Sequence, residues 1–165
     1  MKRNLILFFA ILGLILSACA NRESTAETTA SQTPDPCSSA NMSASIKPVN
    51  DLQREFDDTS LLASNVSREQ LPALISEMQR IRRAAEDQAV PSCLATLKTH
   101  QLAHMKVVID TMIAFVSGAD TSTLNNGVAQ AGQEHDLYTL EMARLLGLTL
   151  VPATNAATPS GTQSP

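Results

Sequence analysis

The chain of 165 residues lacks most of the features that catalytic and nucleic-acid-binding proteins display, and each gap excludes something. No block of Lys and Arg runs along it, so nucleic acid binding lacks its usual electrostatic footprint. Charge-driven docking onto anionic lipid is disfavoured for the same reason. Alternating β-branched runs are missing, which removes the main signal for strands. The serines sit in neither Gly-x-Ser-x-Gly nor Ser-x-x-Lys, the settings that activate a serine nucleophile. There is no Gly-rich phosphate loop, no Cys-x-x-Cys spacing and no internal repeat. No enzyme motif survives, and neither an enzymatic activity nor a cofactor is expected.

What the chain does have begins at its start. Lys2 and Arg3 precede a nearly unbroken apolar run from Leu5 to Leu16. The run is about a dozen residues, short of the roughly 20 that a spanning helix takes. Length and flanks fit a cleaved export signal instead. The run ends in Leu16-Ser17-Ala18-Cys19, with small residues before the cut and a thiol after it. This stretch resembles the lipobox of bacterial lipoproteins at all four positions. The resemblance implies cleavage before Cys19, a thioether-linked diacylglycerol on its sulfur, and often an acyl chain on its new amine. Each buried CH2 is worth about 0.8 kcal/mol, so two or three chains anchor durably. Position 20 is Ala rather than the Asp that resembles an inner-membrane retention signal, which leans towards the outer membrane where the organism has one.

Without Lys2 and Arg3 the chain keeps 10 basic and 16 acidic side chains, a net charge of −6. Lipid, not charge, is expected to hold it to its membrane. Residues 1–18 read as signal peptide. Residues 19–36, rich in Ser, Thr, Ala, Glu and Gln and ending in Pro34-Asp35-Pro36, read as a solvated tether with nothing large to bury. Residues 151–165 have the same character. The folded domain is expected between them, at 37–150, a size that can bury one core.

Within that domain apolar residues recur at spacings of three and four, the helical period. Val49, Leu52, Phe56 and Ala63 predict a first helix from Pro48 to Ser64. Ser67-Arg68-Glu69-Gln70 reads as a capping box. It opens a second helix with Leu71, Leu74, Ile75, Met78, Ile81, Arg82 and Ala85 on one face. Val90-Pro91 breaks it. A third helix then runs to Val116 with a wide apolar face that includes Phe115, and Gly118 stops it. A fourth, Ser122 to Leu146, carries Leu124, Val128, Ala131, His135, Tyr138, Met142 and Leu145. The fold class is therefore all-α, a small antiparallel bundle of about four helices.

With Cys19 assigned to lipid, Cys37 and Cys93 remain, in a compartment where disulfides persist. Their bridge would close a loop of about 57 residues, worth ~4 kcal/mol in the chain-entropy model. The pair reads as structural. The Val90-Pro91-Ser92-Cys93 step before a long helix also loosely resembles small helical bacterial lipoproteins of uncharacterised function, over the central half of the chain. That resemblance supports fold and disulfide and carries no catalytic residue.

Only the histidines form a candidate chemical cluster. His100 and His104 are one turn apart on one helix, hence neighbours, and His135 lies on the apolar stripe of the next. Met105, Met112 and Met142 share those helices. Imidazole and thioether suit copper, and paired helical histidines suit zinc. The plainer reading outweighs it: histidines edging the core, methionines filling it. The acidic runs Asp57-Asp58, Glu86-Asp87 and Glu134-His135-Asp136 read as solvated faces, because adjacent helical residues diverge by about 100°. The expectation is a lipid-anchored binding or scaffolding module with an envelope protein partner. The alternative is a metal-handling protein using His100, His104 and His135.

Overall fold

Helical periodicity organises the whole of residues 34–149, the part that this computed structural model describes. Cys19, the signal segment, most of the expected tether and the tail lie outside the described residues. Four helices follow in order: α1 (Met42–Ala63), α2 (Leu71–Asp87), α3 (Ala95–Val116) and α4 (Thr121–Leu145), with a short 3-10 turn (Ser92–Leu94) leading into α3. There is no strand among the described residues. The helices form the expected antiparallel bundle, each packing on its neighbour in sequence.

The first helix starts at Met42, well before Pro48, which lies inside it. An internal proline removes one backbone hydrogen bond and costs about 3 kcal/mol. Burial of Met42 and Ile46 on the added turn offsets that cost, since a fully buried aliphatic side chain contributes roughly 1.5–3 kcal/mol. Residues before the helix hold it from outside. The Asp35 carbonyl accepts from the Ser38 amide at 3.2 Å and from Asn41 Nδ2 at 2.9 Å. The Pro36 carbonyl accepts from Ser45 Oγ at 2.8 Å. Asp35 and Pro36, within the expected tether, are thus tied into the folded unit.

The capping box forms by half. The Ser67 amide donates to Gln70 Oε1 at 3.2 Å, but Ser67 to Gln70 is a turn, and α2 opens at Leu71. Pro72 explains the late start: as the second helical residue its missing N–H is one that would go unpaired anyway. Long-range donors close two other helix ends. Lys98 Nζ donates to the carbonyls of Glu86 and Gln88 at 2.7 and 2.6 Å, sealing α2. Arg68 Nη2 donates to the carbonyls of Phe115 and Val116 at 2.9 and 2.6 Å, sealing α3, where a cation also suits the negative helix end. Gly118 follows with φ 81°, the left-handed stop that glycine provides without strain.

The core has two parts. One gathers Phe56 of α1, Met78, Ile81 and Ala85 of α2, and Met105 and Ile109 of α3. The other joins Met42, Ile46 and Val49 of α1 to Leu94, Leu97 and Tyr138. The second part lies beside the disulfide. Cys37 and Cys93 are bonded with Cα atoms 5.9 Å apart and a sequence separation of 56. The bond ties the approach to α1 to the start of α3.

Candidate functional site

Moving along the bundle from the disulfide end, α1, α3 and α4 bring a polar cluster together midway. On α1, Gln53 and Asp57 follow Val49 one turn apart, so all three look the same way. Gln53 Nε2 donates to Asp57 Oδ1 at 2.9 Å. On α3, Gln101 Nε2 donates to the Val49 carbonyl at 2.7 Å. One turn on from Gln101, His104 is almost fully buried, with Nδ1 3.0 Å from the Ala131 carbonyl of α4 and Nε2 3.4 Å from Asp57 Oδ1 of α1. From α3, His104 therefore touches two other helices, α1 and α4. Its ring stands edge-on to Phe56, centroids 5.9 Å apart, and to His135, 5.2 Å apart.

Burial is the largest single influence on His104 and disfavours its charged form. Asp57, the Ala131 carbonyl and the charge of Glu134 together outweigh it and leave the imidazole above its ordinary value. Tyr138, under the same Asp57, is pushed up to about 12, first by burial and then by that negative charge. The Oε1 atoms of Gln53 and Gln101 are buried with no hydrogen-bond partner among the described residues, an arrangement that costs stability.

The three expected histidines divide. His104 and His135 come together around Asp57, with His135 Nε2 4.0 Å from Asp57 Oδ2. His100 turns instead to Glu134, Nδ1 to Oε2 at 3.0 Å. Among the described residues no group of three or more His, Cys, Asp or Glu is placed to hold a metal ion. The methionines scatter: Met105 is in the core, Met112 packs against the same cluster, and Met142 sits at the disulfide end. Of the acids read as solvated faces, Asp58, Glu86, Asp87 and Asp136 are exposed as expected, whereas Asp57 and Glu134 are half-buried and each faces a histidine. Asp57 carried a signal: it lies one turn after Gln53 on the side of α1 that is buried.

Beyond the cluster, towards the end of α1 and the start of α4, the helices leave a cleft of about 440 Å³. Its walls are Ala63, Val66, Val108, Met112, Phe115, Leu124 and Val128, with the hydroxyls of Ser60, Ser64 and Thr111 among them. α1 supplies small side chains here and cannot fill the space. Phe115, expected on the buried face of the third helix, is 45% exposed, and Val128, expected on the stripe of the fourth, is 65% exposed. Arg68 lies over the Phe115 ring at 5.5 Å and fixes that wall. On the opposite side α3 and α4 touch closely at Gly127, where an added Cβ would fall 2.2 Å from Thr111 Oγ1. Ala131 belongs to both features, lining the cleft with its side chain and holding His104 with its carbonyl.

What these features define is a class of architecture, a disulfide-braced four-helix bundle with an apolar cleft. Compared with known proteins, the chain matches no family model, no curated protein and no solved structure. No helix among the described residues is long and apolar enough to cross a membrane.

Proposed function

We propose that this protein is a lipid-anchored module of the bacterial cell envelope that binds a small apolar ligand in the cleft between α1, α3 and α4. Signal cleavage before Cys19 and acylation of its thiol hold the domain on the extracytoplasmic side, at the outer membrane where one exists. The observation that carries the binding reading is the cleft itself. Its volume falls in the range of small-molecule sites, about 300–1,000 Å³, and its mainly apolar walls with a few hydroxyls match their chemistry. Phe115 and Val128, large and exposed, gain the most from an occupant.

Fluorescence titration with an uncharged naphthylamine probe tests the site on the full acylated chain in detergent. Saturable binding is expected, and Val128→Arg should weaken it at least tenfold without lowering the unfolding midpoint. Leu140→Arg, at an exposed position outside the cleft, should leave it unchanged. Equal binding by wild type and Val128→Arg would remove the cleft from consideration. The anchor is tested separately: Cys19→Ser should abolish labelling by palmitate, and retained label would overturn it.

Copper or zinc handling by His100, His104 and His135 is the second reading. The His104–His135 pair beside Asp57 favours it, while the engagement of His100 with Glu134 weighs against it. Calorimetric titration with either metal separates the readings, since stoichiometric binding lost in His104→Ala would place metal first.

A further inference from the structure

The polar cluster poses a problem of proton count that the cleft makes functional. A neutral imidazole has one N–H to give. Here the two ring nitrogens of His104 meet different groups: Nδ1 is hydrogen-bonded with the Ala131 carbonyl at 3.0 Å, and Nε2 lies within ion-pairing distance of Asp57 Oδ1, at 3.4 Å. If the one proton of the neutral ring sits on Nδ1, a bare lone pair faces a carboxylate. If it sits on Nε2, a lone pair faces a carbonyl oxygen. Only the imidazolium keeps the Ala131 hydrogen bond and also turns an N–H and a positive charge towards the Asp57 carboxylate. The two acceptors belong to different helices, Asp57 to α1 and Ala131 to α4, with His104 on α3 between them. The cleft starts next to both attachment points: Ser60 and Ala63 lie one turn and more beyond Asp57, and Ala131 is itself a wall.

We propose that proton uptake by His104 latches α1 to α3 and α4 beside the cleft and holds the cleft in its binding form, the latch loosening as pH rises. The proposal rests on the cleft being a binding site and adds its regulation. The charged and titratable groups around His104 are few. α1 contributes Asp57, α4 contributes His135 and Glu134, and α3 contributes His100 one turn earlier, already engaged by Glu134. α2 offers only apolar side chains, Met78, Ile81 and Ala85 among them, to the core cluster that contains Phe56. The position of His104 above the ordinary histidine value agrees with a proton held between two acceptors. Deprotonation weakens one of the two attachments whichever tautomer remains, and either α1 or α4 loses a tie to α3 beside the cleft. An apolar ligand then meets a less preorganised cleft and binds more weakly.

The test is naphthylamine affinity across the histidine range on the full acylated chain, with histidine ring protons followed by NMR in the same samples. Affinity should be highest on the acid side and fall by about fivefold, the lower end of ordinary coupling, through the His104 transition. Because coupling is reciprocal, saturating probe should shift the His104 titration upward by the same factor. His104→Gln should make the affinity independent of pH, and His135→Gln should leave the dependence in place. Binding that does not vary with pH, or a dependence that persists in His104→Gln, overturns the latch and leaves the cleft reading intact. Failure of the probe to bind at any pH overturns both.

Discussion

The two ends of the bundle use the same helices, yet one is shut and the other stands open. At the shut end α1 presents Met42, Ile46 and Val49, which meet Leu94, Leu97 and Tyr138, with the Cys37–Cys93 bond beside them. At the open end α1 presents Ser60, Ala63 and Ser64, and the apolar residues opposite them find nothing large to touch. Burial is therefore set by the partner's size as much as by a residue's own character. Gln53, Gln101 and His104 are buried because their neighbours close over them, while Val128 and Phe115 remain exposed. A shut end braced by a covalent bond lets the other end remain unfilled without the bundle coming apart.

Breaking the shut end should have the largest effect. The double variant Cys37→Ser with Cys93→Ser is expected to lose about 2–5 kcal/mol of stability, read as a fall in the denaturant midpoint. Next comes a matched pair of truncations. Leu97→Ala, at a fully buried position of the shut end, should cost about 2–5 kcal/mol. Val128→Ala, at the open end, should stay within about 0.5 kcal/mol. Equal losses in urea unfolding would erase the distinction between the ends.

Gly127→Ala probes the contact that sets the spacing of α3 and α4. Alanine favours the helix by about 1 kcal/mol over glycine, but the new Cβ meets Thr111 Oγ1 at 2.2 Å, and overpacking of this kind costs about 1–3 kcal/mol. A small net destabilisation is expected by thermal unfolding. Adding Thr111→Ala should reverse it, and an unrelieved loss in the double variant would point elsewhere. The smallest effect belongs to the middle of the molecule. His104 is raised in the folded state, so its stabilising contribution is complete below the unfolded histidine value and disappears as pH rises through the folded one. Unfolding midpoints of wild type and His104→Gln should converge with rising pH over that window.

The helices were legible because each keeps an apolar period over several turns and ends at a marked break, as at Val90-Pro91 and Gly118. The disulfide was legible from the expected compartment and from cysteine parity. The true start of α1 was not, because Pro48 looks like a first-turn residue until Met42 and Ile46 are seen to bury against α3 and α4. Nor was the full site. His104 and His135 could be paired from helical spacing and an antiparallel neighbour, but the turn of His100 towards Glu134 depends on the rotation of α4 about its own axis. Asp57 was dismissed as solvated because its contribution comes from a helix distant in sequence. The cleft left no trace at all, since Ser60, Ala63 and Ser64 look the same in sequence whether a neighbour fills the space or not.

By itself the sequence determined that this domain is helical, where its main breaks fall, which residues favour its interior and which cysteines can pair, because period, breakers and parity are properties of one chain segment at a time. Tertiary structure alone decided which apolar faces meet, which histidines share a carboxylate, and where the helices leave room. Those outcomes depend on the sizes and rotations of several elements packed together, and no single element carries that information.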